Sequence, residues 1–269
     1  RLMPEQARED LGPGLALAAF PGERPVITGA DVLSGPFTPV RVALRPRPAT
    51  TATPPGEAFD PEAWRRQIGV DGPADARAAP APAEGLDHAK APFLGIYSCP
   101  WTGSASLVFA DGRRLDQIGL QGTTARAEKG GGFRYRREWD GRDVSDLRPG
   151  AFFHDAARNQ LYLWLPDGTD PALHTLEVAV RSPLVLLHGP WSLRGFDLVH
   201  AADGQHSGGS EAAVVVHGRH SVVEDCRIAE NEFIGLIHHG WDGITRHCLI
   251  SGNGLCGISP SYGWRMAIE

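Results

Sequence analysis

Three residues that can transfer protons, Asp225, His247 and Glu269, follow one another at intervals of 22 residues. Carboxylates and imidazoles are common general acids and bases. If 22 residues form one turn of a wound chain, the two carboxylates lie two turns apart with the imidazole between them. Inverting glycoside hydrolases place their carboxyl groups roughly 6.5–9.5 Å apart, and retaining enzymes about 5 Å apart. We predict that these three residues are catalytic; the alternative is that they are solvated polar positions.

A second set of residues has side chains suited to binding a polar polymer. His217 and His239 are also 22 residues apart, His238 is adjacent, and Trp241 and Asp242 follow. Imidazoles titrate near neutral pH, and an indole can stack on a sugar ring. We predict a substrate-binding face; the alternative is a neutral, hydrogen-bonded histidine ladder. A metal site is disfavoured, because imidazoles in one column suit tetrahedral coordination poorly.

An internal repeat indicates the elements that position these residues. The segments that begin at Ala213 and Gly235 align at an offset of 22 residues. Their apolar runs are short, rich in Val and Ile and interrupted by Gly or Asn, which favours short strands over helices. A repeat of this length indicates stacked coils that build parallel sheets. The identical pairs are His217/His239, Gly218/Gly240, Cys226/Cys248, Ile228/Ile250, Asn231/Asn253 and Gly235/Gly257.

Residues one coil apart are expected to form columns along the stack. The cysteine and isoleucine pairs would face the core. Asn231 and Asn253 would form a ladder in which side-chain amides bond from coil to coil.

The pattern along the chain predicts three regions, the second of which contains an irregular segment. Residues 14–30 would form a first coil, because two short strands flank the turn "PGERP". Residues 31–180 would form an inserted module, because longer alternating strands around "ADGRR" and "DAARNQ" are typical of antiparallel hairpins. Within the module, residues 45–92 are rich in Pro and Ala and are expected to be irregular. Residues 181–269 would form the remaining coils, and we expect the chain to stop within a coil.

Composition narrows the classes of partner. The chain has 269 residues, 42% of them hydrophobic, and a formal net charge of -6. The negative charge weighs against nucleic acid, which requires a clustered basic surface. No apolar run reaches the roughly 20 residues of a membrane span, and no signal peptide is visible. The four cysteines form no C-x-x-C pair, so we predict no zinc or redox motif and no cofactor.

The segments "PGERPVITGADVLSG", "FADGRRLDQIG", "FFHDAARNQLYLWLPDGTDP" and "VVEDCRIAEN" resemble right-handed parallel β-helix repeat proteins of the pectate-lyase-like superfamily. They are most similar to the carbohydrate-active group in which an insertion follows the first coil. The resemblance implies an all-β fold, an incomplete right-handed parallel β-helix with an inserted antiparallel β-sandwich-like module. It also implies a secreted or periplasmic protein that acts on a polysaccharide or oligosaccharide.

Three functions remain open from the sequence. The first hypothesis is a glycoside hydrolase that uses paired carboxylates. The second is a polysaccharide lyase or epimerase acting on uronates, since Arg219, Arg227 and Arg246 lie in the repeat region and can neutralise a carboxylate. The third is a non-catalytic glycan-binding or surface module. A pair of suitably spaced carboxylates in a groove favours hydrolysis, whereas a flat face favours the third hypothesis.

Overall fold

The computed structural model describes residues 14–46, 86–118, 143–202, 212–239, 241–259 and 267–268. These residues are mostly β structure with stacked parallel sheets, which is compatible with a β-helix-like fold. Glu269 and residues 47–85 of the predicted irregular segment lie outside the described residues. Two compact units are present: a first unit of Arg1–Leu33, Ser104–Arg114 and Glu177–Glu269, and a second unit of Ser34–Gly103 and Leu115–Leu176.

Three parallel sheets form most of the first unit, with strands numbered along the chain. Sheet A contains β12 (Val185–Leu187), β15 (Ala212–Val216), β18 (Ile234–His238) and β21 (Cys256–Ser259). Sheet B contains β1 (Ala16–Ala18), β13 (Ser192–Arg194), β16 (Val222–Glu224), β19 (Ile244–Arg246) and β22 (Ala267–Ile268). Sheet C contains β2 (Val26–Thr28), β14 (Asp197–Val199), β17 (Arg227–Ala229) and β20 (Leu249–Ser251).

The chain visits sheets A, B and C in turn, so that three consecutive strands form one coil. Ile228 pairs with Ile250, which confirms the predicted offset of 22 residues. The previous step is longer, because Leu198 pairs with Ile228, 30 residues further along the chain. In sheet B, Leu17 pairs with Leu193, so two strands distant in sequence are neighbours in space.

The corners between sheets contain residues in the left-handed backbone conformation. At the corner between sheets B and C, Asp225 has a φ of 54° and His247 a φ of 53°, and Gly195 precedes them in the same column. Asp, Asn, His and Gly are the residue types that adopt this conformation most readily. The corner geometry therefore gives a structural reason for Asp and His at these positions.

The inward columns predicted from the repeat form the core of the first unit. Leu198, Ile228 and Cys226 are fully buried, and Ile250 packs against them. Asn231 Nδ2 donates to Asn253 Oδ1 over 2.8 Å, which confirms the asparagine ladder. Fully burying one aliphatic side chain stabilises the fold by about 1.5–3 kcal/mol.

Two further sheets complete the described structure. In the first unit, sheet D contains β3 (Ala30–Val32), β11 (Leu176–Ala179), β6 (Val108–Ala110) and β7 (Arg113–Arg114). In the second unit, sheet E contains β4 (Thr38–Val40), β5 (Ile96–Pro100), β10 (Gln160–Trp164), β9 (Ala151–Asp155) and β8 (Asp116–Ile118). Three short 3₁₀ helices are η1 (His88–Lys90), η2 (Val144–Asp146) and η3 (Pro171–Leu173).

Both predicted hairpins are confirmed, since β6 pairs with β7 and β9 with β10 in antiparallel register. One pair departs from the predicted antiparallel pattern, because β8 lies parallel to β9. No helix among the residues that the structure describes has the length and apolar character needed to cross a membrane.

Candidate functional site

The corner between sheets A and B carries a row of stacked imidazoles. The ring centroids of His188 and His217 are 5.2 Å apart, and those of His217 and His239 are 4.9 Å apart. The ring planes are inclined by only 13° and 12°. We call His188, His217 and His239 the imidazole ladder. The sequence repeat predicted the column of His217 and His239, and His188 extends this column by one coil.

The backbone at this corner sets the spacing of the ladder. The His217 N–H donates to the Leu187 carbonyl over 2.7 Å, and the His239 N–H donates to the Val216 carbonyl over 2.7 Å. A Cβ atom on Gly218 would lie 1.9 Å from the carbonyl oxygen of Gly189. Adjacent coils therefore approach closely here because the position after the histidine is glycine.

The central imidazole of the ladder, His217, is favoured in its uncharged form. Burial, followed by the neighbouring His239 and His188, lowers the pKa of His217. A neutral imidazole has one N–H donor and one nitrogen acceptor. His188 and His217 are exposed and His239 is half-buried, so the ladder presents imidazole edges to solvent at intervals of one coil.

His238 is separated from the exposed face of the ladder. Only 1% of His238 is exposed, and all five residues of β18 are buried. Because strand residues alternate between faces, His238 shares the core face of Leu236. Neither ring nitrogen has a hydrogen-bond partner among the described residues. Burial, and then His239, lowers the pKa of His238. The ring packs on Gly243, where a Cβ atom would lie 2.0 Å from Cε1 of His238.

Trp241 and Asp242 complete the corner. Trp241 is 47% exposed, and the guanidinium carbon of Arg219 lies 5.1 Å from its ring centroid, in the range of a cation–π contact. Asp242 is half-buried and has a φ of 56°. The predicted substrate-binding residues therefore share one corner, and all except His238 are at least partly exposed.

The predicted catalytic column lies at the other end of sheet B, at the corner between sheets B and C. His247 Nδ1 is 3.7 Å from Asp225 Oδ1, and Arg194 Nε donates to Asp225 Oδ2 over 3.0 Å. The structure therefore brings Asp225 and His247 together, and Glu269 lies outside the described residues. The predicted binding residues therefore lie at the corner between sheets A and B, whereas Asp225 and His247 lie at the corner between sheets B and C.

Arginines contact the carboxylates at and beside this corner, and two of them, Arg194 and Arg24, were not assigned from the sequence. Arg194 also lies 3.7 Å from Glu224, and Arg246 contacts Glu224 at 2.7 Å. Arg24 donates to Asp197 over 2.5 Å. Arg194, Glu224 and Arg246 occupy equivalent positions in three successive strands of sheet B. Aligning the segment around Arg194 with the two later coils would have predicted this column from the sequence.

No group of three or more His, Cys, Asp or Glu side chains with metal-binding geometry occurs among the residues that the structure describes. In comparisons with known proteins, no family model, no curated protein and no solved structure matches the chain. The two corners, one between sheets A and B and one between sheets B and C, are the candidate functional sites.

Proposed function

We propose that the chain folds as a right-handed parallel β-helix with an inserted β-sandwich-like module, and that it binds a polysaccharide or oligosaccharide. The imidazole ladder beside the half-exposed Trp241 carries this proposal. A secreted or periplasmic location is part of the same proposal, because such polymers are met there.

The ladder suits an extended polymer for a geometric reason. Equivalent imidazole edges recur once per coil, and a polysaccharide likewise repeats equivalent hydroxyl groups along its length. Each neutral imidazole can donate one hydrogen bond to a hydroxyl group and accept another from it. The apolar face of Trp241, at the same corner, offers a surface on which a sugar ring can stack.

Replacing Trp241 with alanine is expected to weaken glycan binding at least about fivefold, or about 1 kcal/mol, through lost stacking. Binding is measured by calorimetry on a panel of neutral and acidic oligosaccharides. Phe20→Ala is the matched control, since Phe20 is an aromatic residue of the first unit that is 77% exposed and distant in sequence from the ladder. Equal affinities for the two variants, or no binding to any glycan by the folded protein, would contradict the proposal.

Glycoside hydrolysis is a second candidate, favoured by the contact between Asp225 and His247. In this proposal Asp225, held by Arg194, is the carboxylate that acts as base or nucleophile, and Glu269 is the second carboxylate of the column. His247 would donate or accept protons beside them.

The same panel tests this candidate through the release of new reducing ends. Asp225→Asn is expected to lower the rate about 100-fold or more, the usual size of a general acid–base contribution. Cleavage that persists in that variant argues against the assignment of Asp225. An unsaturated uronate product would instead support the lyase alternative.

A further inference from the structure

Cys226 and Cys248 occupy equivalent positions in two adjacent coils. The strands before them, β16 and β19, are paired, and so are the strands after them, β17 and β20. Adjacent strands lie about 4.8 Å apart. A disulfide spans a Cα separation of about 4.4–6.8 Å. The strand register alone therefore places the two residues within bridging distance.

The side chains point in the same direction as well. Cys226 Sγ lies 3.2 Å from the Glu224 carbonyl oxygen, and Cys248 Sγ lies 3.3 Å from the Arg246 carbonyl oxygen, two residues earlier in each case. Both cysteines are free, and both belong to the buried core cluster of the first unit or pack against it. Both thiols therefore contact the core, with one directly above the other.

We propose that Cys226 and Cys248 form a reversible disulfide between adjacent coils when the protein meets a small-molecule disulfide oxidant of the glutathione type. The inference is independent of glycan binding, because it uses only the register and the two thiols. It adds a modification site to the corner between sheets B and C.

Exposure determines the order of the chemistry. Cys226 is fully buried and Cys248 is half-buried, so the oxidant reaches Cys248 first. The Cys248 thiolate attacks one sulfur of the oxidant, whose S–S bond breaks and releases one thiolate. Cys226 then loses its proton to solvent and attacks the Cys248 sulfur, which releases the second thiolate. Two protein thiols are oxidised by two electrons, and the oxidant is reduced to two thiols.

Electrostatics support the same order. The hydrogen bond from Cys226, the largest influence, lowers the pKa of Cys248 to about 7, whereas the same bond and burial raise the pKa of Cys226. The thiolate is the nucleophile in thiol–disulfide exchange. Cys248 is therefore the attacking residue and Cys226 the resolving residue.

The spacing also predicts that the bond is readily reduced. If the two side chains are parallel, the Cβ atoms of Cys226 and Cys248 are about 4.8 Å apart, which is one strand spacing. Disulfides prefer a Cβ separation of about 3.5–4.5 Å. The two coils must approach slightly, and a strained disulfide is more easily reduced. We expect the disulfide to form only in buffers with a high ratio of oxidised to reduced glutathione, and to be reduced when thiol is in excess.

The other two cysteines provide controls within the same chain. Cys99 belongs to the second unit, and burial raises its pKa to about 11. Cys256 pairs with Ile234 in sheet A, and burial raises its pKa too. Neither has a cysteine at the position opposite to it in its described strand pairs.

The test equilibrates the full chain in buffers of oxidised and reduced glutathione, both folded and during refolding from urea. We expect two of the four thiols to disappear and peptide mapping to recover a Cys226–Cys248 linkage. Cys99→Ser is expected to behave as the wild type. In Cys226→Ser, a stable mixed disulfide with glutathione is expected at Cys248. Absence of the linkage from folded and refolded samples in the most oxidising buffer, or a linkage to Cys99 or Cys256 instead, would overturn the proposal.

Discussion

Replacing Asn231 with alanine is expected to lower the free energy of unfolding by roughly 3 kcal/mol. Asn231 is 1% exposed, and its Oδ1 accepts from the Ala201 N–H over 2.8 Å. Its Nδ2 donates to Asn253 Oδ1 over 2.8 Å and to the Leu198 carbonyl over 3.4 Å. Alanine leaves these buried groups without their partner, and each unsatisfied group costs about 1–3 kcal/mol.

Urea-induced unfolding measures this change, and Asn253→Ala provides the comparison. Asn253 is only half-buried, so its replacement is expected to cost less. The two substitutions should also be non-additive, with a coupling energy of about 1 kcal/mol, because they share one hydrogen bond. Additive effects, or an Asn231→Ala protein within about 0.5 kcal/mol of the wild type, would mean that the two coils do not stack in this register.

Acidification from about pH 7 to pH 5 is expected to destabilise the protein, and His238→Leu is expected to remove part of that loss. Burial lowers the pKa of His238 in the folded state, whereas an unfolded histidine titrates near about 6.5. As the pH falls below the unfolded value, the unfolded state binds the proton first, so stability decreases. For one such group, the free energy of unfolding falls by up to about 1.4 kcal/mol per pH unit.

Thermal unfolding at several pH values measures this effect as a difference between variants. Burial also lowers the pKa of His200, to about 4, and the pKa values of His154 and His217. The His238→Leu variant therefore keeps the acid sensitivity that these three residues cause. If His238→Leu retains the full acid sensitivity of the wild type, His238 is not the buried group responsible.

The repeat was sufficient to predict much of the first unit. An offset of 22 residues aligned Asn231 with Asn253 and His217 with His239, because no residues are inserted between those coils. Strand alternation could also have predicted the burial of His238, since Leu236 faces the core from the same strand. Treating His238 as an exposed neighbour of His239 ignored that alternation.

Other features had no local signal in the sequence. Arg24 and Asp197 are 173 residues apart, so no periodicity connects them. The left-handed backbone conformation of Asp225 and His247 was also not predicted from the sequence. Gly195, at the equivalent position one coil earlier, adopts the same conformation and could have indicated it. A residue type chosen for backbone geometry looks the same in sequence as one chosen for catalysis, which is why the catalytic column remains a proposal.

The most direct test is an NMR titration of the His217 ring in the wild type and in His239→Gln. If the coils stack as described, His217 has a pKa below the usual value of about 6.5, and replacing His239 raises it. The ring signals of His217 should also shift when a bound glycan is added. A His217 pKa that is not lowered and does not respond to the loss of His239 would contradict the imidazole ladder, and with it the binding site proposed here.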